Sequence, residues 1–204
     1  PKPSSAASDV YKRQVPVRLA SGDLVEADGC IRPTTSAEAL ANLKPAFRPD
    51  GVVTAGTSSP LTDGAAAVLV TSDAFAERHG LKALARIRSF ATVGVDPAIM
   101  GIGPIPATRK ALARAGLSVA DLDVVEINEA FSSQALACIR DLGLDPATVN
   151  LDGGGLSIGH PLGATGARIT GKAASLLARE NGRYALATQC IGGGQGIATI
   201  LERV

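Results

Sequence analysis

Three short stretches of this 204-residue chain carry side chains able to move protons or hold a negative oxygen. One is Gly153-Gly154-Gly155-Leu156-Ser157-Ile158-Gly159-His160-Pro161-Leu162-Gly163-Ala164-Thr165-Gly166, with a single imidazole among six glycines. The second is Asn128-Glu129-Ala130-Phe131, and the third is Cys190-Ile191-Gly192-Gly193-Gly194-Gln195-Gly196. An imidazole takes or gives a proton near neutral pH. A free thiol, with a pKa of about 8.5, becomes a nucleophile when a base or a cation draws off its proton. Imidazole, carboxamide and thiol together suit acyl or carbon-anion chemistry, provided three separate loops bring them to one pocket.

The flanking patterns place those loops at strand ends. Glycine serves where backbone must approach something closely or take a positive φ. His160 is therefore held by loop geometry and not by a packed face. Pro161 fixes φ where a helix can start, and the apolar run over 164–178 reads as that helix. His160 then lies just before a helix N-terminus, a setting that favours negative charge. Residues 122–127 read as a strand and 130–142 as a helix stopped by Gly143, so Asn128 sits where α/β sheets place their sites. A strand over 149–151 leads into the glycine-rich loop. Strands over 184–188 and 196–201 are joined by the Cys190 loop, with 192–194 as a hairpin-like turn. Upstream, 85–93 reads as a strand with Arg86 and Arg88 outward, 97–104 as a loop, and 105–115 as a helix closed by Gly116. The order βα-βα-βα-ββ predicts an α/β layered domain.

The first third is less regular. Residues 1–14 are polar and without periodicity, and read as a disordered or non-native tail. Residues 15–60 are loop-rich, with a short helix over 36–43 capped by Ser36. Residues 52–59 read as strand then turn, and 63–70 as a small-residue segment running into a buried strand. A helix over 73–79 ends at Gly80, and His79 faces solvent.

Composition excludes several classes. A net charge of +1 gives no footprint for nucleic acid or a membrane surface, and 3% aromatic residues supply no base-stacking platform. No apolar run reaches membrane-span length, and the N-terminus has no apolar h-region. Three widely spaced cysteines, Cys30, Cys138 and Cys190, read as reduced thiols in a cytoplasmic setting. Cys138 lies mid-helix and reads as core. Residues 166–172 have P-loop spacing, but Ala173 replaces the Mg²⁺-holding hydroxyl and the segment falls inside a helical pattern.

The three motifs, in this order, resemble those of the thiolases, and the similarity runs from about Val15 to Val204. It covers the C-terminal half of such an enzyme. The resemblance implies a thiolase-like layered fold, αβαβα in the intact family, here mainly the C-terminal domain over 81–204. Residues 61–80 would be the last part of the N-terminal domain, and 15–60 a remnant of the loop domain that covers coenzyme A. It implies an acyltransferase that cleaves 3-ketoacyl-CoA with CoA, giving acetyl-CoA and a shortened acyl-CoA in fatty-acid β-oxidation.

Carried over by resemblance, His160 activates the nucleophilic Cys and donates to the enolate oxygen, and Asn128 holds a water completing that oxyanion site. Cys190 is the second acid–base, and Gly192 gives a backbone N–H to the tetrahedral adduct. Ser59 contacts the pantetheine of coenzyme A, Met100 lines the acyl pocket, and Phe131 packs on pantetheine. No metal and no bound cofactor are implied; coenzyme A is a substrate. The family's nucleophilic Cys falls in a segment absent from this sequence, so the chain reads as a fragment that is inactive alone and exposes apolar surface. A homo-oligomer and a hydratase/dehydrogenase partner subunit are implied for the intact form.

Thr57-Ser58-Ser59 and the C-terminal run from Gly194 resemble the degradative branch. Acetoacetyl-CoA thiolase, the biosynthetic branch, is the nearest alternative. A non-catalytic thiolase-like CoA-binding protein is another, and the presence of both His160 and Cys190 argues against it. Ketoacyl-ACP synthases share the fold, but Cys190 in its Cys-x-Gly-Gly turn sets this chain apart.

Overall fold

A computed structural model describes residues 14–204. In chain order its elements are β1 (Val17–Arg18), β2 (Leu24–Val25), α1 (Ala37–Ala41), α2 (Asp73–Arg78), β3 (Arg86–Gly94) and α3 (Pro104–Ala115). There follow β4 (Val124–Ile127), α4 (Ser132–Leu142), the single turn α5 (Gly155–Ile158), α6 (Leu162–Arg179), β5 (Tyr184–Ile191) and β6 (Gln195–Glu202).

β3, β6, β5 and β4 form one sheet in that order; β6 is antiparallel to both neighbours and β4 is parallel to β5. Period-2 alternation gives the sheet two apolar faces. Val125, Ile127, Leu186, Ala198 and Ile200 pack under α3 and α4. Val124, Ala185, Ala187 and Leu201 pack under α6. The result is the expected α/β layered domain, helices on both faces of a mixed sheet. Buried Ala107, Ala111 and Ala115 let α3 lie close to the sheet. Ile169, Ala173, Leu176 and Leu177 recur at helical spacing and form the buried stripe of α6. Gly116 and Gly143, with φ of 70° and 66°, end α3 and α4 in the left-handed conformation that glycine adopts without a Cβ clash. Cys138 is fully buried, as expected of core, and residues 166–172 lie within α6, as the helical pattern required.

Several expectations need correction. Residues 52–54 form no strand; Ser58 makes one isolated bridge to Phe131. The segment 63–70 is not a buried strand: it belongs to no sheet, and Leu69 and Val70 are 75% and 69% exposed. An apolar run is buried only where neighbours cover it, and no described strand lies alongside. Residues 149–151 give one bridge, Val125 to Val149, because Asn150 turns to φ 47°. The helix expected from residue 130 starts at Ser132, since Ala130 and Phe131 pair with the segment 58–59. β5 runs on through Cys190 to Ile191, so Cys190 is a strand residue and the loop proper is 192–194. The tail expected over 1–14 falls, except for Gln14, outside the described residues. Among the described residues no helix is long and apolar enough to cross a membrane.

Candidate active site

Parallel pairing of β4 with β5 brings the C-terminal ends of both strands to one edge of the sheet. Asn128 follows β4, and its N–H donates to the Thr188 carbonyl at 3.0 Å, extending the ladder by one bond. Cys190 lies two residues past Thr188 on β5 and is half-buried. The two residues therefore share an edge by topology alone.

The glycine-rich loop is fastened to that edge by side chains. Asn150 is buried, its φ of 47° being tolerated by Asn better than by most residues. Its Oδ1 accepts from the Ile127 N–H at 2.9 Å, and its Nδ2 donates to the Ile127 carbonyl at 2.9 Å and to Glu129 Oε1 at 2.7 Å. One carboxamide thus replaces a neighbouring strand at Ile127. The other oxygen of Glu129 accepts from the Leu156 N–H at 3.1 Å, anchoring α5. Gly154 must lack a side chain, because a Cβ there would overlap the Glu129 carboxylate and the Asn150 amide.

His160 is then held on three sides. Its N–H donates to the Pro60 carbonyl at 3.2 Å. Its Nε2 lies 3.2 Å from Asn128 Nδ2, and its Nδ1 lies 2.7 Å from Thr165 Oγ1 in the first turn of α6. The segment 57–61 runs between the two loops: Ser59 N–H donates to the Ala130 carbonyl at 3.0 Å, Thr57 accepts from the Ser132 N–H at 2.8 Å, and Leu61 bridges His160.

The structure therefore joins His160 to Asn128 and sets Cys190 on the same edge. Gly192 opens the β5–β6 turn, with open space where a Cβ would stand. The Ser59 hydroxyl donates to the Ala130 carbonyl at 3.1 Å, and half-buried Phe131 contributes its backbone to the Ser58 bridge. Met100 is half-buried in a 3₁₀ segment, Pro97–Ile102, packed against α4. Among the described residues no hydrogen bond links Cys190 or Met100 to the His160–Asn128 pair. Sequence reasoning missed Asn150, Thr165 and the role of Glu129. The position of Thr165 one turn after Pro161, in the first turn of the predicted helix, was the available signal.

Environment sets the protonation states. Burial pushes the His160 pKa down and the Arg168 guanidinium adds to this, so the imidazole is neutral at pH 7. Burial pushes the Cys190 thiol up, against a smaller backbone hydrogen bond. Burial takes Cys138 up to about 11. A neutral base and a protonated acid at one sheet edge suit proton transfer in both directions. Among the described residues no group of three or more His, Cys, Asp or Glu is placed to hold a metal ion.

Comparison with known proteins bears on this geometry. The family profile "Thiolase, C-terminal domain" matches residues 81–203, and "Thiolase, N-terminal domain" matches residues 2–74. The chain is 57% identical to a 3-ketoacyl-CoA thiolase of Erwinia tasmaniensis over 88% of its own length and 47% of the relative's. It is 55% identical to an acetyl-CoA acetyltransferase of Paracoccus denitrificans over 93% of its length and 49% of the relative's. It resembles the crystal structure of human mitochondrial 3-ketoacyl-CoA thiolase in complex with CoA, with a TM-score of 0.81 and 38% identity over 98% of this chain and 53% of that one. The chain spans about half the length of the curated relatives it matches.

Proposed function

The chain belongs to the thiolase family, and from that premise we propose that it supplies the proton-handling half of a site that cleaves 3-ketoacyl-CoA with CoA. The observation that carries this reading is the contact of His160 Nε2 with the Asn128 carboxamide, at the sheet edge that also bears Cys190.

None of the three cysteines here suits the nucleophile. Cys30 is exposed on a turn whose N–H bonds Asp28. Cys138 is buried, and its thiol donates to the Gly101 carbonyl at 3.5 Å. Cys190 is raised in pKa and fits the acid. The attacking thiol comes from outside this sequence.

His160 Nε2 takes that thiol's proton, and the thiolate adds to the keto carbon of the substrate. The C–C bond breaks, leaving an acyl-enzyme and the enolate of acetyl-CoA. The enolate oxygen is stabilised by the Nε2–H of protonated His160, with Asn128 completing the site. Cys190 gives its proton to the enolate carbon. Its thiolate then takes the proton of an incoming CoA, whose sulfur adds to the acyl carbon while the Gly192 N–H holds the tetrahedral oxygen. Collapse releases the shortened acyl-CoA and the enzyme thiolate, which takes its proton back from His160 Nε2, so that both proton carriers are ready for another round. Ser59 and Phe131 border the pantetheine arm, and Met100 the acyl chain. Residues 81–204 form the C-terminal domain, 61–80 the end of the N-terminal domain, and 15–60 part of the loop domain. The intact enzyme is cytoplasmic and a homo-oligomer, and works with a hydratase/dehydrogenase subunit in β-oxidation.

The similarity to the Paracoccus denitrificans protein supports a second reading, the acetoacetyl-CoA thiolase branch. One experiment addresses both. Residues 15–204 are joined to the upstream part of the Erwinia tasmaniensis relative, and thiolysis is measured on acetoacetyl-CoA and on longer 3-ketoacyl-CoAs. Turnover that rises with chain length supports β-oxidation, and turnover confined to acetoacetyl-CoA supports the alternative. A folded chimera without thiolysis, or the 204-residue chain turning over alone, defeats the proposal.

A further inference from the structure

Thr165 is fully buried in α6, and its hydroxyl has two neighbours. One is the Pro161 carbonyl at 3.1 Å, the other His160 Nδ1 at 2.7 Å. A hydroxyl has one hydrogen to give, and a carbonyl can only accept. With the hydroxyl hydrogen on the Pro161 carbonyl, Thr165 Oγ1 accepts a proton-bearing Nδ1–H. On the opposite side of the ring, Asn128 Nδ2 stands 3.2 Å from Nε2 and is a donor only, so it requires a lone pair there. With the Asn128 amide oriented this way, both ends of the imidazole carry the same tautomer. Reversing it would set Thr165 Oγ1 and the Pro161 carbonyl against each other without a hydrogen between them. It would also turn the Asn128 amide over.

We propose that Thr165 is a positioning residue that locks His160 as the Nδ1–H tautomer, leaving the Nε2 lone pair as the proton acceptor of the site. The chain of donation runs from His160 Nδ1–H to Thr165 Oγ1–H to the Pro161 carbonyl. Thr165 N–H donates to that same carbonyl at 3.0 Å, so the relay ends on a group fixed by the first turn of α6. The proton taken from a thiol lands on Nε2, and the Nδ1–H bond persists in the imidazolium. The ring neither flips nor exchanges its roles during the reaction. The catalytic use of this lock rests on the thiolase reading; its existence does not.

The chain has two histidines, His79 and His160, and His79 is exposed. Nitrogen NMR of the ¹⁵N-histidine-labelled 204-residue chain, with His79→Gln for assignment, reads the His160 tautomer directly at neutral pH. The expected spectrum has the proton on Nδ1, unchanged in Thr165→Ser and shifted toward Nε2–H in Thr165→Val. A wild-type spectrum with Nε2–H overturns the proposal, and so does an unaltered Nδ1–H form in Thr165→Val. If Thr165→Val does not fold, the wild-type spectrum decides. A catalytic imidazole in the wrong tautomer loses up to about four orders of magnitude in rate. In the chimera, Thr165→Val should lower kcat by about tenfold or more with KM within about twofold, and Thr165→Ser should restore it. Equal kcat in wild type and Thr165→Val also overturns the proposal. A wholly inactive chimera with the expected spectrum defeats the thiolase reading and leaves the tautomer lock standing.

Discussion

The two sides of the site are built in opposite ways. The His160 side is held by polar side chains: Asn150 and Glu129 fasten the glycine-rich loop, and Thr165 and Asn128 hold the ring. The Cys190 side is held by bare backbone. The β5–β6 turn carries Gly193 and Gly194 at φ of 85° and 90°, and the Gly194 carbonyl accepts from the Val95 N–H at 2.8 Å. A Cβ on Gly194 would overlap the Val95 carbonyl, and one on Gly196 the backbone of Gly103. One side therefore fails when atoms are removed, and the other when atoms are added.

The largest expected effect is on chemistry. His160→Ala in the chimera should lower kcat by about 10²–10⁴ with little change in melting temperature, as measured by thiolysis and calorimetry. A loss below tenfold would break the reading that this side carries the base. Asn150→Ala comes next. It leaves the buried N–H and C=O of Ile127 and one oxygen of Glu129 without a partner, at about 1–3 kcal/mol for each orphaned group. Melting should fall by several degrees and the His160 ring signals should broaden, while alkylation of Cys190 is unchanged.

Gly194→Ala sharpens the contrast from the other side. The left-handed backbone and the overlap with Val95 together cost about 1–3 kcal/mol. Cys190 should alkylate faster, and His160 should keep its wild-type spectrum. Disturbance of both sides by either substitution would show that they are one mechanical unit.

The smallest effect is on pH dependence. The folded pKa of His160 lies below its unfolded value of about 6.5, so the unfolded chain binds the proton more readily. The contribution of neutral His160 to stability is complete above about pH 6.5 and is lost as pH falls from there through the folded pKa. His160→Gln should flatten the melting-temperature profile in that window, and an unchanged profile would contradict the buried, neutral ring.

Much of the architecture could be read from residue types. The sheet, α3 and α6 follow from periodicity and from glycine stops, because apolar spacing and chain reversal are local properties. The order of the three motifs was visible too. What escaped was long-range. Asn150 stood between Val149 and Leu151 and read as strand, yet its side chain serves as a strand's replacement. Cys190 read as loop because its pairing with Gly196 depends on a close backbone approach that no spacing rule encodes. The segment 63–70 read as buried, since its composition describes an affinity for cover and not whether cover is there.

The bond from the Ser59 hydroxyl to the Ala130 carbonyl spans 71 residues of chain. A loop of that length costs entropy to close, and the pairing of Arg86 with Glu202 at the edge of the sheet closes a longer one. Thread and sheet thus draw on contacts of similar reach, and a chain that formed only its helices would still hold the Asn128 and His160 loops apart.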